Sequence, residues 1–172
     1  MTQNHLSTES SNAPSSDNDV VTIGEFVTCY LAASAADNGA YALIEHTLGP
    51  GLIGAPPHRH TREDECSYVL EGTLTVWREG VVTVAGPGGV IAKPRGEWHT
   101  FWNAEQEPVR FLEVIAPGAF AGYFRELGAL FAAAAGELPD VAAIVGTAAH
   151  YGLEFDFAAV GPLIREHGLR LG

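Results

Sequence analysis

Two histidines, His58 and His60, stand two positions apart in PPHRHTREDE, a glutamate follows at Glu65, and a third histidine, His99, leads the run HTFWN. Strand side chains alternate between faces, so an i, i+2 pair points the same way and its two imidazoles can grip one ion. Three imidazoles and one carboxylate suit a single divalent transition metal, Fe, Ni, Mn, Co or Zn, and leave positions open on a five- or six-coordinate ion. Glu65 has a second use: a carboxylate that ligates a metal can shift aside and accept a proton from an incoming hydroxyl, so it is the candidate general base. Its neighbours Glu63 and Asp64 read as a solvated acidic turn. Cys66, one residue further, should face away from the ion by strand parity. His5, His46, His150 and His167 read as surface or satisfied core residues.

These side chains need strands to aim them, and the sequence supplies strands in number. From Val20 onward, short β-branched and aromatic runs are broken every few residues by Gly or Pro: VVTIGEFVTCYLA, AYALIEHTLGPG, CSYVLEGTLTVWREG, VVTVAGPGG, VIAKPRGEW, HTFWNAEQEP and VRFLEVIAPG. Many short strands at close, even spacing predict a sandwich or barrel. Thr73 to Arg78 and Val81 to Ala85, joined by Glu79-Gly80, read as a tight hairpin lying between the two histidine-bearing segments. After Pro117 the period changes. Phe120, Phe124, Leu127 and Phe131 recur at helical spacing and predict an amphipathic helix packed on the sheet. A second helix follows Pro139, capped near Asp140 and stopped at Gly152. Residues 1–19 are rich in Ser, Asn and Asp and are expected to be a disordered tail. The organisation is therefore a tail at 1–19, a β-barrel at 20–117 and a C-terminal helical extension at 118–172.

Two strings carry a family likeness: Gly51-x6-His58-x-His60-x4-Glu65-x6-Gly72, and Gly88-x5-Pro94-x-Gly96-x2-His99-x3-Asn103. They resemble the two conserved motifs of the cupin superfamily. The second matches at every position; in the first, only the leading glycine is displaced, Gly51 falling one residue early or Gly54 two late. The resemblance implies a mainly β fold, a cupin-type jelly-roll barrel, with His58, His60, Glu65 and His99 converging on one metal inside it. Inward-facing pocket candidates by parity are Phe101, Ser67 and Val69, while Asn103 is expected to hold a turn. The segment VIAPGAFAGYFRELG and the later AAHYGLEF resemble the C-terminal extension of single-domain quercetin-dioxygenase-like cupins.

With 172 residues, 9 Lys plus Arg and 21 Asp plus Glu, the net charge is −12, which repels phosphate backbones and anionic lipid, so neither nucleic acid nor membrane is expected as a partner. The two cysteines, Cys29 and Cys66, form no Cys-x-x-Cys motif, and with no secretory leader pattern a reducing, cytoplasmic setting is expected. The expected partner is a small-molecule substrate. The family likeness implies a metal-dependent dioxygenase acting on a small aromatic or enolisable, flavonol-like compound. A redox-neutral metal-dependent cyclase, isomerase or decarboxylase, and a non-catalytic small-molecule-binding cupin, are the alternatives. A homodimer is expected as well, because an open sheet edge near Val20 to Leu31 invites a second copy.

Overall fold

The computed structural model describes residues 20–32 and 39–171; the expected tail at 1–19 lies outside them. Eleven strands come first: β1 (Val20–Ile23), β2 (Phe26–Ala32), β3 (Ala42–Leu48), β4 (Leu52–Ile53), β5 (His58–His60), β6 (Asp64–Glu71), β7 (Leu74–Arg78), β8 (Val81–Ala85), β9 (Val90–Lys93), β10 (His99–Trp102) and β11 (Val109–Ala116). One sheet runs β1-β2-β3-β11-β6-β9. In the other, β10 pairs with β4 and β5 and, separately, with β7, which carries β8. Consecutive strands repeatedly cross between the two sheets, as a jelly roll requires.

Alternation explains the core. In β3 every second residue from Ala42 to Leu48 is buried, and β11 repeats the pattern from Val109 to Ile115. Phe26, Leu48, Leu74, Val76, Phe101 and Phe111 fill one end of the barrel. Tyr30, Ile44, Ile115, Phe120 and Tyr123 fill the other. The β7–β8 hairpin forms as expected: Glu79 and Gly80 both have positive φ, 48° and 85°, the twist that a two-residue turn needs to match its strands.

A single 3-10 turn, Gly118–Phe120, leads into α1 (Ala121–Ala133); α2 is Val141–His150 and α3 is Val160–His167. The Asp140 carboxylate accepts from the Ala142 amide at the start of α2, and Gly152 follows its end at φ 74°. The Tyr30 hydroxyl donates to the Ala121 carbonyl at 2.8 Å, tying α1 to the barrel. The extension also contributes strands that the sequence pattern did not predict. β12 (Leu153–Phe155) pairs antiparallel with β5, and β13 (Arg170–Leu171) pairs parallel with β4. The chain after the barrel thus returns twice to the sheet that carries His58 and His60. No helix among the described residues is long and apolar enough to cross a membrane.

Candidate metal centre

His58 and His60 are the two ends of β5 and both are buried, with Arg59 between them turned outward to Glu154 on β12. Antiparallel pairing sets His99 directly opposite His58. Glu65 enters from β6 in the other sheet. One donor atom from each of His58, His60, Glu65 and His99 lies within 4.8 Å of the others. The four residues named by spacing therefore meet at one point, and none is more than 6% exposed.

The chemistry of this quartet fits a divalent ion. His58 Nδ1 lies 2.8 Å from the Pro56 carbonyl and His99 Nδ1 lies 3.0 Å from the Glu97 carbonyl, positions where each ring donates its proton outward and leaves Nε2 bare toward the centre. The Nε2 atoms of His60 and His99 are buried without a hydrogen-bond partner. Orphaned buried acceptors are costly unless something else satisfies them, and a shared cation does. Burial, then the neighbouring imidazoles, hold His58 well below its usual range, and burial lowers His99 too, so both rings are neutral and able to ligate. Burial pushes Glu65 up, but His60 and Lys93 outweigh it and keep the carboxyl well below its ordinary value. Glu65 Oε1 lies 3.5 Å from His60 Nε2, and its Oε2 lies 3.5 Å from His99 Nε2.

Three charged residues adjoin the quartet that spacing alone did not single out. Glu63 is buried, 5% exposed, with Oε2 3.6 Å from His60 Nδ1, and so departs from the solvated acidic turn expected there. Asp64 does fit that reading: it is exposed and holds Arg95. Lys93, on β9 opposite Glu65, places Nζ 3.1 Å from Glu65 Oε2 and 2.6 Å from Glu113 Oε2, and Ser67 donates to the same Glu113 oxygen at 2.8 Å. Burial pushes Glu113 up to about 7 against the pull of Lys93. Burial alone would lower Lys93, but Glu113 and Glu65 together raise it, so it stays an ammonium.

His58, His60 and Glu65 of the quartet line a cavity of about 570 Å³, whose walls near them also include Lys93, Glu113, Phe101 and Phe120. Phe120 packs edge-on against the His60 ring at 4.4 Å. Gly54 is in the wall because a Cβ there would sit 2.1 Å from the Phe101 ring. Of the parity candidates, Phe101 lines the cavity, whereas Ser67 serves Glu113 and Val69 is closed into the core. Cys66 is half-buried on the other face of β6. Asn103 holds its turn through the Leu48 and Glu107 carbonyls. His46 is a core residue that also touches the cavity: burial takes it down to about 3, and Thr28 Oγ1 lies 3.1 Å from its Nδ1.

A double-stranded jelly roll with three inward histidines and one glutamate is the architecture of a cupin. Residues 44–115, the span that holds all four of these residues, match the family described as Cupin domain. It is 26% identical over 114 residues, 66% of its length, to a quercetin 2,3-dioxygenase of Bacillus subtilis, of which it spans only 33%. Among solved structures, a predicted oxalate decarboxylase of Thermotoga maritima is similar with a TM-score of 0.51 and 26% identity, over 54% of this chain and 81% of that one. A Cupin 2 conserved barrel domain protein of Salinispora arenicola superposes with a TM-score of 0.52 over 83% of this chain and 99% of that one, at 14% identity, a likeness of fold alone.

Proposed function

We propose that the protein is a metal-dependent dioxygenase acting on a small aromatic or enolisable, flavonol-like compound. The observation that carries this reading is the junction of the His58, His60, Glu65 and His99 quartet with a cavity of about 570 Å³ whose remaining walls are overwhelmingly apolar. Such a cavity suits an organic body with few polar groups. A divalent ion held by the four residues would supply a Lewis acid for an enol or phenol oxygen and an electron path between that substrate and dioxygen.

The chain's own residues prepare that chemistry. Glu65 accepts the hydroxyl proton of the substrate. Lys93 engages Oε2 of Glu65 and steadies the carboxylate while it does so. The bound Glu113 keeps the ammonium in place, and Phe101 and Phe120 keep bulk water from the reacting carbon. The similarity to a quercetin 2,3-dioxygenase supports the assignment. The similarity to a predicted oxalate decarboxylase favours a second, redox-neutral reading, in which the same quartet stabilises an enolate without oxygen.

Metal analysis of the purified protein, followed by oxygen-electrode assays with flavonols and catechols, separates the two. The expected result is near-stoichiometric Fe, Ni, Mn, Co or Zn and substrate-dependent oxygen uptake. Glu65→Gln should lower that uptake 100-fold or more, on the scale of lost general-base catalysis. Bound metal and turnover without oxygen uptake would transfer the assignment to the redox-neutral reading.

A further inference from the structure

The cavity does not end with the barrel. Beyond the quartet, its walls are Leu127 and Phe131 of α1, Val141 and Ile144 of α2, Phe157, and Ile164 of α3. None of these side chains carries a polar group. The lining residues that can carry charge near neutrality, by contrast, all belong to the barrel: His46, His58, His60, Glu65, Lys93 and Glu113; from the extension only the buried Tyr123 adds a hydroxyl. The cavity therefore has a polar inner chamber and an outer one, made by the C-terminal extension, that is apolar apart from the Tyr123 hydroxyl.

Exposure changes in the same direction. The inner ligands are 0 to 6% exposed, whereas the outer lining includes Leu138 at 74%, Val141 at 59%, Leu171 at 54% and Phe157 at 45%. A folded chain that only needed α2 to cover the sheet would turn such residues inward. Here they form an apolar rim at the mouth of a cavity, the pattern of a lipophilic binding site.

We propose that the segment Phe120–Leu171 is the specificity element of this protein, and that its ligand is an extended lipophilic compound with one acidic oxygen. The acidic oxygen sits at the quartet and the apolar body runs out beneath α1, α2 and α3. This rests on the reading of the quartet as a site for an enol or phenol oxygen. The extension's lining offers no charged side chain and only the buried Tyr123 hydroxyl as a polar side-chain group, so a sugar, a phosphate or a second carboxylate would be poorly paired there and rejected by the desolvation it would suffer.

The test is binding, without turnover. Dissociation constants of catechol, 4-butylcatechol and 4-octylcatechol are measured anaerobically on the full chain by calorimetry, before and after chelator treatment. Affinity is expected to rise two- to fourfold per added methylene, the range set by burial of an apolar group less its ordering. Leu138→Glu combined with Val141→Glu alters two exposed positions, so folding is retained. It is expected to weaken 4-octylcatechol at least tenfold and catechol less than twofold. Val90→Glu, exposed and away from the cavity, is the control and should change neither. Chelation should weaken all three probes by a similar factor and leave the chain-length slope intact. Equal affinity across the series, no measurable binding of 4-octylcatechol, or equal loss of catechol and octylcatechol in the double variant would overturn the inference. A steep slope without oxygen uptake on any probe would leave the outer chamber standing and remove the dioxygenase.

Discussion

The second nitrogen of each imidazole decides how well the quartet can hold an ion. For His58 and His99 it is fixed by a backbone carbonyl, but for His60 it faces the Glu63 carboxylate at 3.6 Å, and both atoms otherwise lack a partner. Outer partners of this kind orient a ligating ring and raise its basicity, and their loss typically costs 10- to 100-fold in metal affinity. Glu63→Ala is therefore expected to raise the metal dissociation constant by about tenfold or more, read by competition with a chromophoric chelator, while Asp64→Ala leaves it unchanged. Equal constants for wild type and Glu63→Ala would exclude the positioning role. The four ligands were legible because spacing and parity encode them: Glu65 faces in and Cys66 faces out. Glu63 was not, because β6 begins at Asp64 and the turn before it follows no alternation. Lys93 and Glu113 left a fainter signal. Each shares parity with buried apolar residues, Ile91 for Lys93 and Phe111 and Ile115 for Glu113, so each is a charge at a core position. Their partnership needs cross-strand register, Glu65 opposite Lys93 and Ser67 opposite Glu113, which no local pattern gives.

Among the elements, the hairpin and the first two helices follow from local chemistry. Glu79-Gly80 sets the turn, the aromatic spacing sets α1, and Asp140 starts α2. The Asp140 carboxylate satisfies an otherwise orphaned amide at the helix start, at 3.0 Å from the Ala142 nitrogen. Asp140→Ala should cost about 1 kcal/mol. For a chain of this size that corresponds to a fall in Tm of roughly 2–4 °C, readable by calorimetry. An unchanged Tm would mean that α2 is held by packing alone. The short strands β12 and β13 and helix α3 were not legible. Strands of two or three residues carry too little periodicity to register, and these two exist because β5 and β4 offer them free ladder partners. The aromatic stripe of α1 shows where a simple rule stops. Phe120 packs in the core as expected, but it and Phe124, Leu127 and Phe131 all line the cavity too, and spacing cannot distinguish a helix face that meets a sheet from one that meets a ligand.

For the molecule as a whole, the open sheet edges decide how copies can meet. The stretch Val20 to Leu31 contributes only β1 as an edge, since β2 is paired on both sides, and α1 packs close against β1, where a Cβ on Gly128 would lie 2.2 Å from Val21. At the other sheet, β8 pairs only with β7 among the described residues, and Val81, Val82 and Val84 on it are 64%, 46% and 63% exposed. A chain of net charge −12 repels its own copies, so contact is favoured where the surface is uncharged. VVTVA is such a strip. Two β8 strands meeting antiparallel about a two-fold axis would complete each other's backbone ladder and cover the valines. The proposed homodimer is therefore placed at β8. Light scattering at micromolar concentration should give twice the chain mass, and Val82→Lys with Val84→Lys, both on one face of the strand, should give the single-chain mass with an unchanged circular dichroism spectrum. A monomeric wild type would refute the dimer outright, whereas a dimer that survives the β8 pair but is split by Val20→Lys would move the interface to β1.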